Sequence, residues 1–191
     1  MRKLVYYVGV TLDGYIAGPA GEYDFYPVDA EMAAWINQEY PEFVPTPVRP
    51  HFDMALDEPG KRCDTVLMGR GTYDPGLSMG WTSPYAHMKQ YVVSGTLGRI
   101  EDPKVELVES DPVGLVQRLK KEEGGDIWLC GGGQLAAQLL GEIDELIIKS
   151  YPVIAGGGIS VFSGEFNPTL FAPTQRKNFG NGAQVTWFTR A

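Results

Sequence analysis

The sequence predicts an α/β fold: a mixed, mainly parallel sheet, helices on both of its faces and an antiparallel hairpin at one edge. Three observations predict it. Apolar strand-like runs alternate with segments of helical spacing through most of the 191 residues. Several of these runs are apolar at nearly every position, as strands covered on both faces are. Near the C-terminus two β-type runs flank Gly180-Asn181-Gly182, a strong hairpin signal.

Arg2 to Thr11 is a nearly continuous apolar and aromatic run and reads as a central strand. Asp13-Gly14 is a turn dipeptide, followed by a short extended piece through Ile16 and Ala17. Val28 to Tyr40 carries Met32, Trp35 and Ile36 on one stripe, with Asp29 as N-cap and Glu31 in the first turn, and is expected to be a helix. Five prolines between Pro41 and Arg62 block regular structure there. That segment is too apolar for a disordered linker, and it is expected to act as a flap over a site or as an arm onto a neighbour.

Asp64 to Met68 is a second buried strand, and Tyr73 to Tyr85 is expected to be irregular, with Trp81 packing it down. Gln90 to Val93 and Val105 to Val108 follow as strands. Asp111-Pro112 starts a helix with stripe Val113, Val116 and Leu119, and Lys120 to Glu123 reads as its solvated last turn. A strand from Ile127 to Cys130, the turn Gly131-Gly132-Gly133 and a helix to Gly141 come next, then a strand from Glu142 to Tyr151 stopped by Pro152. The runs Leu170 to Phe179 and Ala183 to Arg190 form the hairpin.

Length and composition bound the class. A chain of 191 residues fits one domain with a sizeable core, so residues 1–191 are expected to be a single domain. No apolar run approaches the roughly 20 residues that span a bilayer, and no leader pattern follows Met1, so the expected location is cytoplasmic. A net charge of −8 opposes nucleic acid and anionic membranes. With two cysteines in different settings and two histidines, neither a metal site nor a disulfide framework is expected.

Three strands end in turns of ligand-binding type. Gly69-Arg70-Gly71-Thr72 holds an arginine fork between glycines, Ser94-Gly95-Thr96 offers two hydroxyls, and Gly131-Gly132-Gly133 opens the helix that begins with Gln134 and Leu135. The carboxyl ends of parallel strands are where open α/β sheets bind ligands, so the turns are expected to share one crevice for a nucleotide with more than one phosphate. Each turn also has a plainer reading, as close packing or as a solvated loop.

These pieces resemble a known family. Thr11 to Gly18, Val66 to Tyr73, Val92 to Leu97, Ile127 to Gly133 and Tyr151 to Ile159 match, in order, the dihydrofolate-reductase-like fold, in particular the reductase domain of bifunctional riboflavin biosynthesis proteins. The resemblance implies a three-layer α/β/α domain and an NADPH-dependent reductase of a small heterocyclic (pterin- or pyrimidine-like) or carbonyl substrate. It implies that Arg70, Thr72 and Ser94 approach the adenosine side, Arg70 reading a 2′-phosphate. The Gly131 to Gly133 turn and its helix would hold the pyrophosphate, and Ile16 and Ala17 would lie against the nicotinamide. The proton donor would be an acid at the first helix, Asp29 or Glu31, with Asp13 as a rival. A homodimer is also implied. A dimeric nucleotide-binding module without turnover and a flavin-binding protein remain as alternatives.

Overall fold

A computed structural model describes residues 1–27 and 29–191. Its centre is an eight-stranded sheet of order β5-β4-β3-β6-β1-β7-β10-β9. The strands are β1 (Leu4–Val10), β3 (Cys63–Gly69), β4 (Lys89–Val93), β5 (Val105–Val108), β6 (Asp126–Gly131), β7 (Glu145–Ser150), β9 (Phe171–Asn178) and β10 (Gln184–Arg190). The pairings from β5 through to β7 are parallel, and β10 runs antiparallel to both β7 and β9. A separate two-stranded ladder joins β2 (Tyr15–Ala17) to β8 (Ile159–Ser160).

Strand β1 shows why its run is apolar throughout. Val5 and Tyr7 point into one core with Val66, Met68, Trp128 and Ile147, while Leu4, Tyr6 and Val8 point into the other with Leu67, Leu115, Leu129 and Leu139. The alternation places one residue in each layer at every step. The first layer is covered by α1 (Ala30–Glu39) and α2 (Arg70–Ser78), the second by α3 (Pro112–Leu119) and α4 (Gly133–Gln138).

Three expectations need correction, and the bound of a fourth lies outside the described residues. Val28, given above as the start of the first helix, lies outside the described residues; α1 starts at Ala30, and Asp29 caps it by accepting from Met32 N–H at 2.6 Å. Tyr73 to Tyr85 is not wholly irregular, because α2 extends to Ser78 despite Pro75, anchored by buried Tyr73 and Gly76. Tertiary packing here outweighs a poor local propensity. The helix after the glycine turn ends at Gln138, with Leu139 as its C-cap, short of Gly141. Lys120 is not solvated: it is buried, donates to the Glu142 carbonyl at 2.6 Å and pairs with Asp144 at 2.7 Å.

The Pro-rich segment is ordered against the body of the domain, and its Phe43 and Pro45 reach the cavity described below. Two 3-10 turns, Pro41–Phe43 and Thr46–Phe52, fold it onto the sheet. Two fully buried side chains replace the backbone ladder that the prolines remove. The Arg49 guanidinium donates to the carbonyls of Pro41, Ala55 and Glu58 at 3.0, 3.0 and 2.9 Å. The Glu42 carboxylate accepts from the N–H groups of Lys61, Arg62 and Cys63 at 3.2, 3.1 and 3.1 Å.

Candidate active site

The carboxyl ends of the parallel strands open into one cavity of about 1330 Å³. At β1, the Thr11 hydroxyl donates to Asp13 at 2.6 Å and accepts from Tyr15 N–H at 2.9 Å, and Gly14 takes φ 85°. This turn brings β2 under β8, so that Ile16 and Ala17 reach the cavity wall. At β3, Gly69 is followed by α2, and the Arg70 guanidinium crosses to the β4 turn, donating to Thr96 Oγ1 at 2.9 Å and pairing with Asp74 at 3.3 Å. The Ser94 hydroxyl accepts from the Thr96 and Leu97 N–H groups at 3.3 and 3.1 Å, which fixes that turn.

At β6 the three glycines differ in what surrounds them. A Cβ on Gly133 would fall 2.0 Å from the Ser160 carbonyl oxygen, so Gly133 is a packing glycine under β8. A Cβ on Gly132 would meet nothing closer than Thr72 Oγ1 at 3.7 Å, and one on Gly71 nothing within 4 Å. Gly71 and Gly132 therefore present bare backbone to the cavity, a cradle a ligand can approach closely.

Every expected cofactor residue except Gly131 lines this cavity: Ile16, Ala17, Gly69, Arg70, Thr72, Ser94, Gly95, Thr96, Gly132, Gly133, Gln134 and Leu135. The three carboxylates do not. Asp29 is engaged as the cap of α1, and Glu31 is exposed in its first turn. Asp13 accepts from the N–H groups of Ala155 and Gly156 at 3.0 and 2.7 Å and pins the loop Ala155-Gly156-Gly157-Gly158 that follows β7. The Thr11 hydroxyl, with the Ala155 N–H, holds its carboxyl down at about 2.

Sequence reasoning missed the inner half of the cavity, where Tyr7, Tyr26, Phe43, Tyr85, Trp128 and Tyr151 surround Cys130 and Lys149. The Lys149 ammonium sits over the Tyr7 ring, 4.3 Å from its centroid. Burial lowers it to about 8 and raises Cys130 to about 12. A signal existed: a lysine inside an apolar strand that pairs with the central strand. Among the described residues, no group of three or more His, Cys, Asp and Glu side chains could hold a metal ion, and no helix is long and apolar enough to cross a membrane.

The model of the RibD C-terminal domain matches residues 2–185. The chain belongs to that family. YwjB of Bacillus subtilis strain 168 is 32% identical over 186 residues, covering 96% of each chain. Three solved structures share the fold. A putative riboflavin biosynthesis protein from Shewanella sp. PV-4 superposes with TM-score 0.72 at 24% identity, over 100% of this chain and 99% of that one. A diaminohydroxyphosphoribosylaminopyrimidine deaminase/5-amino-6-(5-phosphoribosylamino)uracil reductase from Thermotoga maritima gives 0.66 at 16% identity, over 100% of this chain and 57% of that one. Dihydrofolate reductase from Enterococcus faecalis, complexed with NADP(H) and RAB-propyl, gives 0.66 at 13% identity, over 98% and 96%. The fold is thus dihydrofolate-reductase-like, as the resemblance implied.

Proposed function

We propose that this protein is a reductase that uses NADPH to reduce a small heterocyclic or carbonyl substrate. The observation that carries the reading is the convergence of the β3, β4 and β6 turns on one cavity, with bare glycine backbone at Gly71 and Gly132 and a guanidinium at its outer end. Two of the fold neighbours, a deaminase/uracil reductase and a dihydrofolate reductase complexed with NADP(H), support it. Arg70, steadied by Thr96, would hold a phosphate at the adenosine end, and the amides around Gly132 would face the pyrophosphate. Ile16 and Ala17 would exclude water from one face of the nicotinamide. When bound, the cofactor supplies hydride to an electrophilic C=N or C=O group.

One observation favours NADH as a second reading: Glu109 and Asp111 line the same cavity as Arg70, and a carboxylate suits a ribose 2′-hydroxyl better than a phosphate. Titration with NADPH and with NADH, followed by Trp fluorescence, separates the two. On the NADPH reading, Arg70→Ala weakens NADPH by about 1.5–3 kcal/mol and NADH much less. Equal weakening of both means that Arg70 does not read a 2′-phosphate, and no binding of either at millimolar concentration removes the proposal. Steady NADPH oxidation with one of a panel of pterins, pyrimidinones and quinones excludes a nucleotide-binding module without turnover.

A further inference from the structure

We infer that Lys149 and Tyr7 form an oxygen-binding site for the substrate, so that the inner half of the cavity takes a flat aromatic molecule presenting an anionic or carbonyl oxygen. The inference deepens the reductase reading, on which it rests for calling the occupant a substrate.

Three observations meet at this point. Among the described residues Lys149 has no hydrogen-bond acceptor and no ion-pair partner; it rests only on the Tyr7 ring. The Tyr7 hydroxyl and the Trp128 Nε1, on residues 6% and 3% exposed, are buried without a hydrogen-bond partner among the described residues. Native interiors rarely leave such groups unpaired, and each one costs free energy until an acceptor arrives. The walls are aromatic: Tyr26 lies 4.6 Å from Tyr151, Phe43 4.4 Å from both Tyr7 and Trp128, and Tyr85 4.9 Å from Trp128, ring centre to ring centre. Rings packed on one another in this way line the wall with aromatic surface, against which a planar ring can lie.

Charge decides which ring. The titratable groups around Lys149 are Tyr7 on β1, Cys130 on β6, and Tyr26, Tyr85 and Tyr151. Burial raises all five, so they are neutral at pH 7. The facing residue of β10, Val185, does not titrate. The carboxylates that line the cavity, Glu109 and Asp111, follow β5, on the far side of β4 and β3 from the β6 and β1 ends. An amidine-like base, which needs a carboxylate partner, finds none on the inner wall, since Glu42, whose charge reaches Tyr7, is held by three backbone amides and does not line the cavity. An oxygen, by contrast, finds the Lys149 ammonium. Lys149 would hold a substrate oxygen and keep a proton against it where negative charge gathers.

The test uses the full chain without cofactor and two probes of the same shape and opposite charge, 2-naphthoate and 2-naphthamidine, measured by calorimetry and saturation-transfer NMR. Naphthoate is expected to bind and naphthamidine not to. Naphthoate affinity should fall as pH rises through about 8, because the Lys149 ammonium loses its proton there. Lys149→Met should weaken naphthoate by about tenfold or more at pH 7. Lys149→Arg should keep the affinity and remove the pH dependence, since a guanidinium does not titrate there. Arg70→Ala should leave naphthoate unchanged, which places the probe in the inner half. A thermal melt of each variant reports whether it is folded. Absence of naphthoate binding, preference for naphthamidine, or equal binding by Lys149→Met overturns the inference. The NADPH titration at Arg70 reads the outer half alone, so either proposal can fail while the other stands.

Discussion

At the scale of single residues, two charged side chains do what a helix does elsewhere. Glu42 and Arg49 are both fully buried, and each satisfies three backbone groups of the Pro-rich segment. Their stakes are high because a buried amide deprived of its acceptor keeps its full desolvation cost. Glu42→Ala strands three N–H groups at the entry to β3 and should cost about 2–4 kcal/mol, read as a drop in urea midpoint at constant slope. Glu42→Gln keeps one acceptor oxygen and should cost less. A loss below about 0.5 kcal/mol for Glu42→Ala would mean that solvent reaches these amides freely. The same residues serve the site, since Phe43 beside Glu42 stacks on Tyr40 and roofs Tyr7 and Trp128.

At the scale of elements, the turn from β6 into α4 combines two demands that adjacent glycines divide between them. Gly133→Ala drives a methyl into the Ser160 carbonyl, and β8 must move. The expected result is a loss of about 1–3 kcal/mol in stability and weaker NADPH binding, because β2 with Ile16 and Ala17 moves with β8. Gly132→Ala meets only ordinary contacts at φ −96°, so it should melt near the parent temperature yet weaken NADPH by filling the cradle. The reverse order of effects would mean that Gly132, not Gly133, carries the packing. The same contrast shows what was legible in the sequence. Strand ends marked by Gly, Ser, Thr and Arg were legible because backbone conformation and hydroxyl caps are local properties. The parallel sheet, its hairpin edge and the outer half of the cavity followed from them. The β2–β8 ladder was not legible, since its partners lie 145 residues apart at Tyr15 and Ser160 and only a two-residue strand records it. Nor was the inner half, because Tyr7, Trp128 and Lys149 read as core positions of three separate strands until the sheet sets them side by side. The three acids lie outside the cavity lining, and for Asp29 and Asp13 the local duties read from the sequence, a cap and a turn, are the ones their carboxylates perform.

At the scale of the molecule, the two edges of the parallel sheet carry different work. The carboxyl ends hold the cavity, whereas the amino ends are tied by charge. Glu145 at the start of β7 accepts from Lys3 at 2.5 Å and Arg62 at 2.6 Å, and Arg62 also reaches Asp126 at the start of β6, at 2.9 Å. These pairs lock the register of β1, β3, β6 and β7 far from the ligand turns. Burial works to raise the Glu145 carboxyl, but the hydrogen bonds from Lys3 and Arg62 outweigh it and hold it below its ordinary value of 4.5. The folded state therefore binds the proton less readily than the unfolded chain, so this contribution is present above about pH 4.5 and is lost as pH falls through the lowered folded value. Glu145→Gln should cost about 1–3 kcal/mol at pH 7, between an exposed and a buried ion pair. Its deficit relative to the parent should shrink steadily below pH 4.5, where the parent protonates the same group. Urea midpoints at pH 7 and in acid measure both. NADPH affinity at pH 7 should stay within about twofold of the parent, because distant sites add independently. A Glu145→Gln variant that lost cofactor binding while remaining folded would show that strain at the amino edge reaches the cavity, and that the sheet does not insulate one edge from the other.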